Sequence, residues 1–328
     1  MTTDIHAPGR VLQLPLRALA PAKINLGLHV GPTRGDGRHE LVTVMQSISL
    51  ADELTLAVAP AGAEHDELVC AGVSGAPREN LAARALAAFR DATGWARGPL
   101  RLTIEKRIPV AAGLGGGSAD AAAALRLAAC ASGLGDHELL LELGAALGAD
   151  VPAQIAPGRW LAGGAGERLE ALPHPREELG VLVLPVAAAL STAAVYREFD
   201  ARGAAQPLAL LQERHDALRA ELSEGAALPL AQLLHNDLEA AARALCPAID
   251  EVLAQAREAG AEAALVSGSG PTVVGLFKEK DGAARACALT RARAQHIQNP
   301  ALTPYAATPV GPQCGIPTTE FSGSVGHN

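Results

Sequence analysis

Residues 109–125, PVAAGLGGGSADAAAAL, place four glycines within positions 113–117 and then run straight into alanine. Glycine resists fixed structure more than any other residue, and alanine is the best helix former. A flexible linker would have polar flanks and no helix fused to its end. Here the flanks are a β-like IPVAA and a strong helix from Ser118 to Ala131. A strand, a glycine loop and a helix N-terminus together make an anion site. The first N–H groups are free, the helix dipole adds partial positive charge, and glycine lets a phosphate approach the backbone. The chain is therefore expected to build a phosphate cradle at Gly113–Ser118.

The common cradles and elbows do not fit. No Gly-Lys pair occurs anywhere, which excludes G-x-x-x-x-G-K-[ST]. A dinucleotide G-x-G-x-x-G started at Gly113 and Gly115 meets Ser118 where the third glycine belongs. A nucleophile elbow around Ser118 fails at Asp120.

The remaining chain bounds what such a cradle can serve. With 328 residues and 49% hydrophobic content, there is material for two ordinary domains. A net charge of -8 argues against a nucleic-acid surface, which needs clustered cations. Aromatics are only 2%, so the core must be Ala, Leu and Val. Lysines occur only at 23, 106, 278 and 280. The five cysteines are scattered without a C-x-x-C pair, which fits reduced thiols in a cytoplasm and no zinc knuckle. Asp4 and Arg17 make the N-terminus a poor signal peptide. The longest apolar run, VLVLPVAAAL, is too short to span a bilayer.

Periodicity gives a mixed α+β order without strict βαβα alternation. A loose leader occupies 1–17. LRALAPAKINLGLHVG reads as a strand that turns at Gly31-Pro32, GDGRHE as a loop, and ELTLAVA as a half-buried strand. ENLAARALAAFRDATG is a helix with Asn80 as N-cap and Gly94 as stop. RLTIEKRIPV is a strand leading into the glycine loop, and DHELLLELGAALGADVP holds a third helix. A second half starts near 170. It has a buried strand at 181–186, helices at 192–199 and 207–222, and two helices divided at Pro247. Asn236 and Glu239 are spaced as a capping box. ALVSGSGPTVVGLF is a pair of strands joined by a glycine turn, and the Pro/Gly/Thr-rich tail from about 300 is expected to lack a core of its own.

Three segments stand out: PAKINLGL (21–28), the glycine loop, and VSGSGPT (266–272). They lie near the start, middle and end, as parts of one site assembled from two halves. In this order they resemble the three motifs of the GHMP kinases. The RGDGRHEL loop, GADVP (148–152) and HNDLE (235–239) bring the resemblance closest to the branch acting on 4-diphosphocytidyl-2-C-methyl-D-erythritol. The resemblance spans about residues 18 to 280.

It implies a two-domain α+β fold. An N-terminal half (18–170) of ribosomal-protein-S5-domain-2-like type faces a ferredoxin-like C-terminal half (171–299), with the tail at 300–328. It implies transfer of the ATP γ-phosphate to the 2-hydroxyl of the methylerythritol unit, in isoprenoid precursor synthesis. By position, Lys23 and Asp150 are the catalytic pair. Pro109, Ala111, Ala112, Gly113, Leu114, Gly115, Gly116, Gly117 and Ser118, with Asn80 and Lys106, fall on the ATP side. Asn25, His39, Tyr196, Gly268, Ser269 and Gly270 fall on the acceptor side. Asp150 can take the proton of the attacking alcohol, and Lys23 can stabilise charge on the oxygens. ATP and Mg²⁺ are the implied small molecules, with Ser118 the one suggested metal contact and the metal ligands otherwise unassigned. No nucleic-acid or membrane partner is implied, and the oligomeric state is left open. Arg38 departs from the family pattern, which has an aromatic there against the cytosine ring; a guanidinium plane can also stack on a base. Two other readings stay in play: a kinase for another small alcohol such as homoserine or mevalonate, and a non-catalytic relative that keeps the fold.

Overall fold

Even-numbered apolar residues from Leu16 to Val30 recur through the first strand, and they pass in turn through three separate hydrophobic clusters. A strand buried on both faces must sit between layers. The computed structural model describes residues 11–73, 76–295 and 303–319. In it this strand, β1 (Leu16–Thr33), pairs antiparallel with β2 (His39–Val58). The twenty-residue β2 was only partly legible as ELTLAVA. It serves two neighbours, pairing through Glu53–Val58 with the strand Leu100–Glu105 and through Thr43–Gln46 with the strand Arg159–Gly163.

The rest follows in chain order: β3 (Glu67–Cys70), α1 (Leu81–Thr93), β4 (Leu100–Glu105), α2 (Gly116–Ser132), α3 (His137–Leu147), α4 (Val151–Ile155), β5 (Arg159–Gly163) and β6 (Arg168–Leu172). These strands form one sheet in the order β3-β4-β2-β5-β6, with β1 beside β2. Then come β7 (Gly180–Leu184), α5 (Thr192–Ala201), α6 (Leu208–Leu222), α7 (Glu239–Leu245), α8 (Ala248–Glu258), β8 (Ala263–Val266), β9 (Val273–Phe277), α9 (Lys280–Gln295) and β10 (Tyr305–Ala307). Their strands form a second, wholly antiparallel sheet in the order β10-β7-β9-β8.

The alanine helix is the centre of the first layer. In α2, residues Ala121–Ala124 and Leu127–Ala129 are all buried, so the helix is covered nearly all round rather than along one stripe. Small side chains let it approach β1 and α1 closely, and Leu125 with Leu127 are each fully buried, worth about 2 kcal/mol apiece. Asn80 caps α1, accepting from the Ala82 amide at 2.9 Å, and Gly94 closes the helix in the left-handed region at φ 66°.

Four expectations are corrected. Helix α2 begins at Gly116, so two glycines of the loop already lie in its first turn. The strand before the loop ends at Glu105, and 109–112 is a turn in which Ala111 has φ 54°. Asn236 and Glu239 do not form a capping box. Asn236 Oδ1 accepts from Leu238 N, but Glu239 Oε2 accepts from Val266 N across to β8. The carboxylate is drawn to a free strand amide rather than to its own helix start.

The fourth concerns the two ends. Residues 1–10 of the expected leader, 300–302 and 320–328 of the expected tail, and 296–299 just before it lie outside the described residues. The leader's last residues are not loose, since Leu12 N bonds Cys130 O and Leu16 opens β1. Residues 303–319 cross both sheets. Tyr305–Ala307 pair with β7, Val310 N bonds Ser47 O at 2.9 Å, and Thr318 exchanges two backbone hydrogen bonds with Arg17. A Pro- and Gly-rich segment cannot make a core of its own, but it can borrow ladder positions from strands already formed.

Candidate active site

The glycines of the loop are dictated by close approach. Gly113 has φ 78°, and a Cβ there would lie 2.4 Å from Ser267 O and 2.9 Å from Gly270 O. Gly115 has φ 70°, and a Cβ would meet Lys23 Cγ at 2.9 Å. Only glycine accepts both the left-handed backbone and the contact. Two of the three sequence motifs thus abut at Gly113, tied by Ser267 Oγ donating to Gly113 O at 3.2 Å. The first joins them through Lys23 N, which donates to Leu114 O at 2.9 Å. No side chain caps α2 at Gly115, so its first amides stay available to a ligand.

Lys23 is buried, and its Nζ lies 3.4 Å from Asp150 Oδ2. Asp150 precedes α4 but makes no capping hydrogen bond through its side chain. Its carboxylate faces the lysine instead of serving the helix. Lys23 Nζ also donates to Asn25 Oδ1 at 2.9 Å. Asn25 Nδ2 in turn donates to Thr43 Oγ1, and Thr43 Oγ1 to Gly27 O. This chain of three bonds fixes where the ammonium points. Thr43 escaped the sequence reading because a lone Thr in a strand has no signature.

On the far wall, His39 Nδ1 donates to Gly31 O at 2.9 Å, which leaves Nε2 facing Asp200 Oδ1 at 3.3 Å. Its ring lies 5.0 Å from that of Tyr196. Burial, and then the nearby Asp150 charge, push the Tyr196 phenol up to about 12, so it remains a neutral hydroxyl. Arg38 reaches the same wall. Its Nε and one terminal nitrogen both bond Asp36 Oδ2, at 3.1 and 2.9 Å. Gly268 and Gly270 stand at φ 57° and 77° in the turn that follows β8, where Asn236 Nδ2 holds Gly268 O at 2.8 Å. Ser269 Oγ is 3.0 Å from Thr192 Oγ1.

Lys106 is tied down beside the start of α2, its Nζ 3.5 Å from a Cβ built at Gly116. Its Nζ bonds Asp52 Oδ2, and Asp120 Oδ2 at 2.7 Å. Burial alone would lower the lysine, but the two carboxylates outweigh it and raise it. Asp120 is raised well above the usual carboxylate range, chiefly by burial, with Lys106 only partly offsetting this. The fold thus favours the neutral acid at Asp120. Its stabilising contribution is present at pH below the ordinary carboxylate value and is lost as pH rises through the raised folded value. Asp120→Asn is therefore expected to gain several degrees of Tm relative to the parent between about pH 4 and pH 8. A thermal-denaturation series in which that difference stays flat or falls with pH would contradict this.

All the residues singled out from the sequence line one cavity of about 1020 Å³ between the two sheets: Lys23, Asn25, His39, Asn80, Lys106, Pro109, Ala111–Ser118, Asp150, Tyr196 and Gly268–Gly270. Asp120, Arg197 and Asp200 line it too, and sequence reasoning did not single them out. Among the described residues, no group of three or more His, Cys, Asp or Glu is arranged to hold a metal ion.

The chain is similar to known proteins along most of its length. Residues 80–158 match the GHMP kinases N terminal domain and 209–292 match GHMP kinases C terminal. Residues 303–319 lie outside both. The chain is 44% identical over 280 residues to 4-diphosphocytidyl-2-C-methyl-D-erythritol kinase of Anaeromyxobacter dehalogenans (strain 2CP-C), covering 84% of each chain. It is similar to a crystal structure of 4-(cytidine 5'-diphospho)-2C-methyl-D-erythritol kinase at TM-score 0.70 and 35% identity, over 90% of this chain and 99% of that one. A homoserine kinase from Cytophaga hutchinsonii shares the fold at TM-score 0.69 with 17% identity, over 94% and 98%.

Proposed function

From a chain that belongs to the GHMP kinases, and among them to the 4-diphosphocytidyl-2-C-methyl-D-erythritol kinases, we propose a function residue by residue. The protein is an ATP-dependent kinase. It phosphorylates the 2-hydroxyl of 4-diphosphocytidyl-2-C-methyl-D-erythritol, giving the 2-phosphate and ADP, in isoprenoid precursor synthesis. The observation that carries the site assignment is the Lys23–Asp150 contact at 3.4 Å, set beside the uncapped start of α2.

Asp150 accepts the proton of the 2-hydroxyl as its oxygen attacks the γ-phosphorus and the bridge to the β-phosphate breaks. Lys23, held by Asn25, orients that carboxylate and stabilises charge on the transferring oxygens. Gly113–Ser118 cradle the phosphates, with Asn80 and Lys106 toward the nucleoside. His39 and Tyr196 take the cytosine, with Arg38 lining the same cavity. The cradle's bare amides fit polyphosphate, and Mg²⁺ carried on the phosphates would neutralise their charge. The domain division proposed is 18–170 and 171–299. The change of sheet lies close to that boundary, between β6, which ends at Leu172, and β7, which starts at Gly180. Five free cysteines support a reducing, cytoplasmic setting, and no helix among the described residues is long and apolar enough to cross a membrane. The partners proposed are small molecules alone.

A coupled assay with ATP and Mg²⁺ should show turnover on the cytidyl substrate, product mass confirmed, and none on homoserine or mevalonate. Turnover on another alcohol only would overturn the substrate and leave the kinase.

A further inference from the structure

Among the described residues Arg126 is the largest fully buried side chain, 1% exposed in the middle of the alanine helix α2. Among the described residues no carboxylate pairs with it. Its charge is spread instead over three backbone carbonyls from three different segments. One terminal nitrogen donates to Gln154 O in α4. The other donates to Leu19 O in β1 at 2.8 Å. Nε donates to Gly315 O, in the C-terminal segment, at 2.8 Å. A planar guanidinium offers these donors in a fixed fork, so the three segments are held at set separations.

Two of those segments carry the reacting pair. β1 runs on from Leu19 to Lys23, and α4 starts directly after Asp150. They are also stitched behind the site by Gln154, whose Nε2 donates to Pro21 O at 3.2 Å and whose Oε1 accepts from Ser47 Oγ at 3.3 Å. Arg126 is thus a brace between the strand that presents the ammonium and the helix that presents the carboxylate. The third segment closes the brace. Residues 308–318 bond to Ser49, Ser47 and Arg17. Gly315 sits so tightly that a Cβ would lie 2.9 Å from Pro157 Cγ and 3.0 Å from Arg126 Cζ.

We infer that the C-terminal segment 303–319 is a strap that completes the Arg126 brace and thereby sets the Lys23–Asp150 geometry, making Arg126 and Gly315 positioning residues for phosphoryl transfer. The inference rests on reading Lys23 and Asp150 as the reacting pair. Removing the strap's carbonyl leaves a buried donor unsatisfied, and the guanidinium must shift to find another partner. A shift of the order of 1 Å in a reacting pair is felt in the chemical step rather than in binding.

The test uses the full chain with Gly315→Val, which drives the guanidinium off its site, and Arg126→Lys, which keeps the charge and loses the fork. Each is assayed well below its Tm, alone and combined with Asp150→Asn. The expected result is a fall in kcat of about tenfold or more for each, with KM for ATP and acceptor within about twofold. In the Asp150→Asn background the same changes should cost less than about twofold, because the geometry they disturb has lost its carboxylate. Unchanged kcat in Gly315→Val, or an equal fall in both backgrounds, would overturn the strap while leaving the site reading intact. Full turnover by Asp150→Asn alone would overturn the site reading, and the strap with it. If the valine variant does not fold, Gly315→Ala places a single methyl against the same atoms, 2.9 Å from Pro157 Cγ and 3.0 Å from Arg126 Cζ, and carries the same comparison.

Discussion

Asp150→Asn is expected to lower kcat by about 10²- to 10⁴-fold, the range supplied by a positioned general base. KM for ATP and for the acceptor should stay close to the parent values. Asparagine has the volume of aspartate, so packing is preserved. The Asp150 side chain caps nothing in α4, so the helix loses no hydrogen bond. Its side chain is 38% exposed, and the contact with Lys23 at 3.4 Å therefore contributes little to global stability. Activity and stability should separate: a large loss of turnover with Tm within a degree or two. Single-turnover kinetics with the phosphorylated product resolved by mass would check it, and undiminished turnover would remove Asp150 from the mechanism.

Gly113→Ala is expected to damage fold and function together. The added Cβ would meet Ser267 O at 2.4 Å and Gly270 O at 2.9 Å, both backbone atoms that cannot swing aside. The residue also stands at φ 78°, where a side chain costs about 1–2 kcal/mol before any clash. The two loops must part, which opens the junction between the phosphate cradle and the Gly268–Gly270 turn. A loss of about 10²-fold in kcat/KM for ATP is expected, with a fall in Tm corresponding to about 2–4 kcal/mol. Gly117→Ala makes the contrast. Gly117 lies in the first turn of α2 with the nearest atom 3.6 Å from a built Cβ, so alanine there should raise stability through helix propensity by up to about 1 kcal/mol, read as a higher Tm. Opposite signs at two glycines four positions apart would show that contact, not glycine content, fixes the loop. A similar Tm change at both would contradict that.

The lines of the sequence that were legible share a cause. Asn80, Gly94 and the alanine run act on their own neighbours, through a cap, a left-handed stop and a propensity, so their structural role is written locally. The glycine loop was legible as a helix start for the same reason: glycine followed by an alanine run sets its own local conformation. Other parts were not. β2 looked like a short strand because only Glu53–Val58 alternates clearly; its Thr43–Gln46 stretch is covered on both sides and shows no period. The tail looked coreless because Pro and Gly are poor at making structure, while nothing local marks a segment that completes hydrogen bonds begun elsewhere.

The sequence by itself therefore determined the α+β character, the glycine loop at a helix start, the three motifs and the residues they carry. Which of those residues touch was decided by the tertiary structure. Lys23 and Asp150 are 127 positions apart along the numbering, and only the seating of α4 against β1 brings them within 3.4 Å. The same holds for Gly113 against Ser267, for Thr43 behind Asn25, and for Arg126 spanning β1, α4 and the strap. Local propensities act over one helical turn or one strand pair, whereas distances between segments arise from the packing of whole layers. A chain can thus show which groups its chemistry needs while the separations that make them react belong to the folded core.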